Sequence, residues 1–326
     1  MNPRFLKYLA AACLMIPLSA HGEDFAPDAS RIVSDPTYLP LQGQIFGSTD
    51  YQWRTTTQDV FNAAGTLTKS QRLDSNPLSQ AFEYGVTDDF SLRFNMGYDP
   101  SATTKTTLAD GTTSSRINLG WTDPNFGFTY RVLDQRSNPV SFDLRGSYSP
   151  DVFGAKSATV TQDGSVALGA QSFDLGASLG RETRFFTIAG MFDALNVGHR
   201  SIENPLNGAN VDINSLWTYS LRIATQTRLT DRFSFNAGAG YTLGHDADLF
   251  NEASDTAYAS HVGATANLNA ALNYQFVPNI VVGSLEFQHN FSGGRNNIYA
   301  VMPASDWQIH NQSGDVLGVR LRYVLQ

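Results

Sequence analysis

His289 and Ser292 are the residues of this 326-residue chain whose types and spacing come nearest to a hydrolytic site. A serine hydrolase needs its serine, a histidine base and an orienting Asn or Asp within hydrogen-bond reach of one another. Residues three apart on a strand point to opposite faces, so His289 and Ser292 diverge, as do the adjacent Ser260 and His261. No catalytic residue is therefore predicted. A loop beginning at Ser292 would relax this geometry, which leaves an outer-membrane lipid hydrolase as an alternative.

Residues 245–255 carry four carboxylates, at Asp246, Asp248, Glu252 and Asp255. Carboxylates at this density can hold Ca²⁺. Their spacing, however, matches no calcium-binding loop motif. We therefore interpret the segment as an acidic, solvated loop and predict neither a metal nor another cofactor.

The first 22 residues have the layout of a secretory signal peptide, with Arg4 and Lys7 ahead of a short apolar run and Gly22 at the expected cleavage point. Cys13, the only cysteine, lies in this run, so no disulfide or thiolate metal site is expected in the rest. Removing two basic and no acidic residues leaves 20 Lys and Arg against 30 Asp and Glu, a formal charge of −10. This acidic balance argues against nucleic-acid binding.

Alternating apolar and polar residues recur throughout the chain. In residues 90–99 (FSLRFNMGYD) every second residue is apolar, which is the period of a β-strand because successive side chains point to opposite faces. Short turn signals separate such runs near positions 88, 136, 183, 231 and 278, which are 47 or 48 residues apart. The runs amount to 12 strands. Long polar connections are predicted at residues 59–75, 100–114, 150–166, 195–213, 244–258 and 292–312.

Turn lengths favour a membrane barrel over a soluble β-sandwich, in which the same alternation would place the apolar faces in the core. Short turns at one end and long loops at the other are typical of outer-membrane barrels, as are aromatic residues such as Tyr84 and Trp217 near both ends of the strands. We predict an all-β fold, a 12-stranded antiparallel transmembrane β-barrel at residues 42–326, with short periplasmic turns and long extracellular loops, in the bacterial outer membrane. Residues 23–41 are predicted as a periplasmic lead-in, too short to form a plug domain.

Two stretches resemble a known family: EYGVTDDFSLRF at residues 83–94 and GWTDPNFGFTYRVLDQRSNPVSFDLRGSYSP at residues 120–150. They are similar to the outer-membrane transporter-like proteins grouped as the putative phenol-degradation meta-pathway family, in which a Gly-x-Gly-Asp motif opens a strand ending in Tyr-Arg. Thr122 stands where the motif has its second Gly. The resemblance implies a 12-strand barrel that acts as a passive channel. The residues that match the motif are Gly120, Asp123, Tyr130 and Arg131.

If the apolar faces meet lipid, the opposite faces of the strands carry arginines and carboxylates into the lumen. Charges in a narrow interior need partners. We predict that Arg145 pairs with Asp143 on its own strand, and that Arg320 and Arg322 pair with Glu286 on a neighbouring strand. The residues predicted to line the pore are Arg93, Arg145, Arg222, Arg320, Arg322, Glu83, Asp143, Asp174 and Glu286.

These features predict an outer-membrane channel for passive diffusion of small solutes through a charged lumen, where opposed charges set up a transverse field. Two further alternatives stay open. The charged pairs could simply fill the barrel, as in small barrels, or the chain could be a non-conducting surface or adhesion barrel. The expected partners are outer-membrane lipids and lipopolysaccharide, periplasmic chaperones, the barrel-assembly machinery and a small-molecule solute, but no nucleic acid.

Overall fold

A computed structural model describes residues 33–183, 186–203, 210–251, 256–292, 296–300 and 307–325. The predicted signal peptide and the first ten residues of the predicted lead-in lie outside these ranges. Within them, no helix has the length and apolar character needed to cross a membrane.

The described residues form a single sheet of 20 strands. Their bounds are β1 (Ile45–Asn62), β2 (Leu67–Ser75), β3 (Leu78–Thr87), β4 (Phe90–Leu108), β5 (Thr113–Trp121), β6 (Asn125–Leu133), β7 (Ser141–Ser149), β8 (Gly164–Ser165), β9 (Ser172–Glu182), β10 (Phe186–Val197), β11 (Arg200–Glu203), β12 (Asn210–Ile213), β13 (Leu216–Arg228), β14 (Phe233–Thr242), β15 (His245–Asn251), β16 (Thr256–Val262), β17 (Thr265–Val277), β18 (Val281–Ser292), β19 (Asn296–Ala300) and β20 (Trp307–Leu325).

Twelve of these strands close into an antiparallel ring, which confirms the predicted 12-stranded barrel. The ring order is β1, β3, β4, β6, β7, β9, β10, β13, β14, β17, β18 and β20. The last strand pairs with the first, from Ile45 opposite Leu325 to Asn62 opposite Trp307. Closure pairs the edges that an open sheet would expose, which a protein surrounded by hydrocarbon requires.

The two faces of the ring strands have opposite chemistry, and the apolar face is the exposed one. Leu92, Leu175 and Leu268 are 50%, 58% and 55% exposed, whereas Ser91 and Asn273, of opposite parity on two of the same strands, are fully buried. A soluble sandwich would show the reverse, because water would drive the leucines inward. The apolar parity therefore lies on the outside of the ring.

Tight turns and long connections alternate along the chain as predicted. The tight turns follow β3, β6, β9, β13 and β17, and the end of the barrel where they lie is called here the turn end. All six long connections also contain paired strands at the opposite, loop end: β2 pairs with β1 and β4, for example, and β15 with β12 and β16. Five of them extend the wall in this way, whereas the connection between β7 and β9 contains only the two-residue β8, which pairs with β5. Threonines favour this outcome, because β-branched side chains suit strands; Thr103, Thr104, Thr106 and Thr107 all lie in the upper half of β4.

Asp123 fixes the one long connection that is mostly irregular, residues 150–171. It lies in the break between β5 and β6, where the exposed apolar residues change from odd positions, such as Trp121, to even positions, such as Phe126. Its carboxylate accepts backbone N–H groups from Val152 and Phe153, both at 2.9 Å, and from Leu168 at 3.2 Å. One side chain thereby holds both ends of the connection.

We expect Asp123→Ala to loosen residues 150–171, because three backbone N–H groups lose a charged acceptor and each such hydrogen bond contributes about 2 kcal/mol. Limited proteolysis of the folded barrel should then cut this connection several-fold faster than in the wild type. The control is Asp151→Ala, which removes an exposed neighbouring carboxylate. Equal cleavage rates for the two variants would contradict the anchoring role.

Candidate functional site

Residues 33–41, called here the mouth segment, lie inside the ring at the turn end. Val33, Ser34, Asp35, Leu39 and Pro40 are all buried. The segment contacts strands on every side of the ring, and always on the polar parity. The strands it contacts are β1, β3, β6, β9, β10, β13, β14, β18 and β20.

Hydrogen bonds attach the mouth segment to one half of the ring. Gln226 donates its amide N–H to the Ser34 hydroxyl at 2.6 Å, and Asn236 donates to the Ser34 carbonyl at 3.1 Å. The Thr187 hydroxyl donates to the Asp35 carboxylate at 2.5 Å. Each wall residue is itself positioned by a ring strand, so the short segment adopts its path from the barrel rather than from a core of its own.

Apolar contacts and backbone contacts attach the segment elsewhere. Val33 packs against Val282 and Val324, in a small cluster that Phe46 and Tyr38 cover. On β3, Gly85 allows the closest approach: a Cβ there would lie 2.1 Å from the carbonyl oxygen of Leu41. Only glycine fits at this position, because backbone atoms cannot yield as a flexible side chain can.

A polar belt of wall side chains runs beside the mouth segment across β13, β14, β17 and β18. Gln226 donates to Ser234 at 3.2 Å, and the Asn273 amide donates to Ser234 and to Asn236 at 3.1 and 2.9 Å. Ser284 then donates to the Asn273 carbonyl oxygen at 2.7 Å. The belt satisfies its buried polar groups within the wall, as buried polar groups require.

The first ion cluster continues this belt onto β18, β20 and β1. Arg320 lies between two carboxylates, 2.5 Å from Asp50 and 3.0 Å from Glu286, and Arg322 lies 3.3 Å from Glu286. Arg322 also donates to Ser284 at 2.9 Å. The predicted pairs of Glu286 with Arg320 and Arg322 are confirmed.

The second ion cluster lies on the other side of the ring, on β7, β10 and β13. Arg145 and Arg222 both contact the Asp193 carboxylate, at 3.0 and 2.5 Å. The predicted pair of Arg145 with Asp143 is wrong. The reason is the register of β7, β9 and β10, in which Gly176 of β9 lies opposite both Arg145 and Asp193 and has no side chain to separate them, while Asp143 is engaged elsewhere.

Asp143 forms a buried ion pair with Arg131 of β6, with N–O distances of 2.8 and 3.1 Å. Arg131 also donates to the backbone carbonyl of Thr37 at 2.6 Å and so links the wall to the mouth segment. The Tyr-Arg motif that the sequence singles out therefore ends in an arginine with a defined structural task.

The other predicted pore residues lie on the same inner parity. Glu83 and Arg93 are directly opposite one another on β3 and β4, and Glu83 accepts a hydrogen bond from Ser91. Asp174 of β9 is opposite Ser147 of β7, and one of its carboxylate oxygens has no hydrogen-bond partner among the described residues. That these residues line a pore stays a prediction.

Asp50, Arg131 and Asp193 also carry the interior network, and strand parity predicts all three on the lumen face. The amides of the polar belt carry the rest of this network and are absent from the predicted pore residues. The amide side chains carry no charge, and Asn and Gln are common on any polar strand face. Nothing in the sequence therefore distinguishes them as site residues.

A groove of about 600 Å³ lies on the outer face of the ring, above Gly146. It is lined by Phe128, Tyr148, Phe173 and Trp217, all on the apolar parity. Gly146 creates the depression, because a Cβ there would lie 2.5 Å from the Phe128 ring. This groove faces hydrocarbon and is not part of the interior.

The structure does not bring His289 and Ser292 together. They lie on opposite faces of β18, and the His289 ring contacts Asp315 at 2.7 Å instead. Of the four carboxylates considered for Ca²⁺, Glu252 and Asp255 lie outside the described residues. Among the described residues, no group of three His, Cys, Asp or Glu side chains is arranged to hold a metal ion.

No protein-family profile and no curated protein sequence matches the chain. It is similar to a solved outer membrane channel from Pseudomonas putida F1, with a TM-score of 0.57 and 14% identity over 88% of this chain and 97% of that one. It is also similar to the transport unit of the autotransporter AIDA-I from Escherichia coli, with a TM-score of 0.53 and 9% identity over 96% and 97% of the two chains. At these identities the likeness shows the fold alone. The chain therefore has the fold of an outer-membrane β-barrel, and its exposed apolar belt places it in that membrane.

Proposed function

We propose that this barrel is an outer-membrane channel through which small polar solutes diffuse passively, with the charged interior as its selective element. The observation that carries the proposal is the position of the two ion clusters in the ring. The first cluster lies on β1, β18 and β20, and the second on β7, β10 and β13, about half a circuit away. Each cluster holds arginines beside carboxylates, and such charged pairs on two facing walls would contact and select polar solutes that pass between them.

Two further observations support the same function. Asn95, on the inner face of β4, is exposed although it points into the ring, so the interior above the mouth segment has room for water. The motif residues Gly120, Asp123, Tyr130 and Arg131 also resemble the transporter-like family, which supports membership in it. Outer-membrane lipids, lipopolysaccharide and the assembly machinery are the partners this function implies.

Planar-bilayer recording of the refolded protein tests the proposal. We expect ohmic current steps in KCl from a barrel whose folding is verified by heat-modifiable gel migration. The recording includes wild type and Leu39→Asp, a variant designed to displace the buried mouth segment. Silence of both proteins in the folded state would contradict a channel and favour the non-conducting surface barrel.

A further inference from the structure

We infer that the mouth segment is a releasable plug, which closes the turn end of the barrel when it is seated and opens it when it swings out. This inference rests on the proposed channel function and adds its gating. Three observations carry it: the position of the segment, the hydrogen bonds that the wall keeps without it, and the turn that attaches it to β1.

The position of the segment makes it an obstruction. Its contacts reach Asn236 of β14, Arg131 of β6 and Val324 of β20, which are separated from one another by several strands around the closed ring. A nine-residue segment can touch all three only by crossing the lumen. Leu39, which is 1% exposed, shows that the crossing is tightly packed.

The wall, by contrast, keeps its own partners when the segment is removed. The Arg131 guanidinium retains both bonds to Asp143, and Gln226 retains its bond to Ser234. Asn236 likewise retains its bond with Asn273. Release therefore leaves few buried polar groups unpaired, whereas removal of a permanent core element would leave many.

The segment itself also keeps several of its hydrogen bonds when it leaves the ring. Asp35 accepts two hydrogen bonds from within the segment, from the backbone N–H and the hydroxyl of Thr37 at 2.8 and 2.7 Å. Within the described part of the chain its carboxylate forms no ion pair with the wall, and the Thr187 hydroxyl donates to it instead. The seated state thus depends on hydrogen bonds to the wall, two of which have one charged partner, Asp35 or Arg131, and on the burial of Val33 and Leu39.

A turn at residues 41–44 supplies the pivot. The Gly43 N–H donates to the Gly85 carbonyl at 2.8 Å, and the Gly85 N–H donates to the Gln44 carbonyl at 3.0 Å, so the turn is tied to β3. Gly43 has a φ of 81°, which other residues adopt at a cost. Residues before the turn can move about this fixed point while β1 stays in the ring.

A reversible tether tests the plug. The hydroxyl oxygens of Ser34 and Ser234 are 3.5 Å apart, so Ser34→Cys with Ser234→Cys, in a Cys13→Ser background, places two thiols within reach of a disulfide. We expect the oxidised protein to lose at least nine-tenths of its open time in planar bilayers and to regain it on reduction. Ser234→Cys alone, carried through the same oxidation and reduction, is the control.

The possible results distinguish a failure of the plug proposal from a failure of the channel proposal. A verified disulfide that leaves the current unchanged would overturn the plug, and so would failure of the two thiols to couple in the folded protein. Leu39→Asp should raise the open time several-fold over wild type, while Val160→Asp, at a residue 65% exposed in a loop, should not. Equal open times for Leu39→Asp and wild type would also overturn the plug, whereas silence of both would instead contradict the proposed function.

Discussion

Replacement of Arg320 by Met is expected to lower the free energy of unfolding by about 3 kcal/mol, because it removes the cation from the buried Asp50 carboxylate and one of two cations from the half-buried Glu286. Arg320 contacts Asp50 at 2.5 Å and Glu286 at 3.0 Å, and the Asp50 side chain is only 8% exposed. Methionine retains most of the packing volume, so the loss of stability would result from the missing charge rather than from a cavity. Urea unfolding of the barrel in lipid vesicles measures the difference.

Two comparisons isolate the electrostatic cause. Arg72→Met breaks an exposed ion pair with Asp74 and should leave the unfolding midpoint unchanged. Adding Asp50→Asn to Arg320→Met should recover most of the lost stability, because the unpaired negative charge is removed while Glu286 still has Arg322. A loss in the double variant as large as in the single one would show that packing, not charge, is responsible.

Neutral substitutions in the two ion clusters are expected to move ion selectivity in opposite directions. Arg222→Gln removes a positive charge from the second cluster while Arg145 keeps Asp193 paired at 3.0 Å, so K⁺ should gain over Cl⁻. Glu286→Gln removes a negative charge from the first cluster, so Cl⁻ should gain over K⁺. One unit charge near a passing ion in water-like surroundings is worth about 1 kcal/mol, or roughly fivefold in the permeability of each ion, in opposite directions for K⁺ and Cl⁻.

Reversal potentials in a KCl gradient measure this ratio directly. The recordings use the Leu39→Asp background, so that both substitutions are compared in barrels with a displaced mouth segment. Arg136→Gln, on a turn outside the ring, serves as a control that removes the same charge away from the interior. Unchanged reversal potentials for both cluster variants would contradict a path of ions between the clusters.

The ring could be predicted from the sequence because the patterns that determine it are formed by residues close together in the chain. Strand parity, visible in residues such as Leu92 and Ser91, fixes which side chains share a face, and turn spacing fixes the strand number. The pairs of Glu286 with Arg320 and Arg322 followed as well, since β18 and β20 are antiparallel neighbours in the ring and the first residues of β18 align with the last residues of β20.

Other features depend on information that no local pattern contains. The partner of Arg145 is set by the register of three strands, which places Arg145 of β7 and Asp193 of β10 on either side of Gly176 in β9. The path of the mouth segment depends on contacts between residues about 200 apart, such as Ser34 with Ser234 and Asn236. A segment rich in prolines and lacking periodicity looks like a linker until the closed ring supplies its surroundings.

Oxygen and nickel accessibility of a nitroxide on residues 92 and 95 tests the inside-out arrangement of the barrel most directly. The labels are attached through Leu92→Cys and Asn95→Cys, in a Cys13→Ser background, with the barrel in lipid vesicles. The label at 92 should be relaxed mainly by oxygen, which concentrates in hydrocarbon, and the label at 95 mainly by a water-soluble nickel complex. Nickel access at 92 together with oxygen access at 95 would mean that the polar face meets lipid, and the account would be wrong.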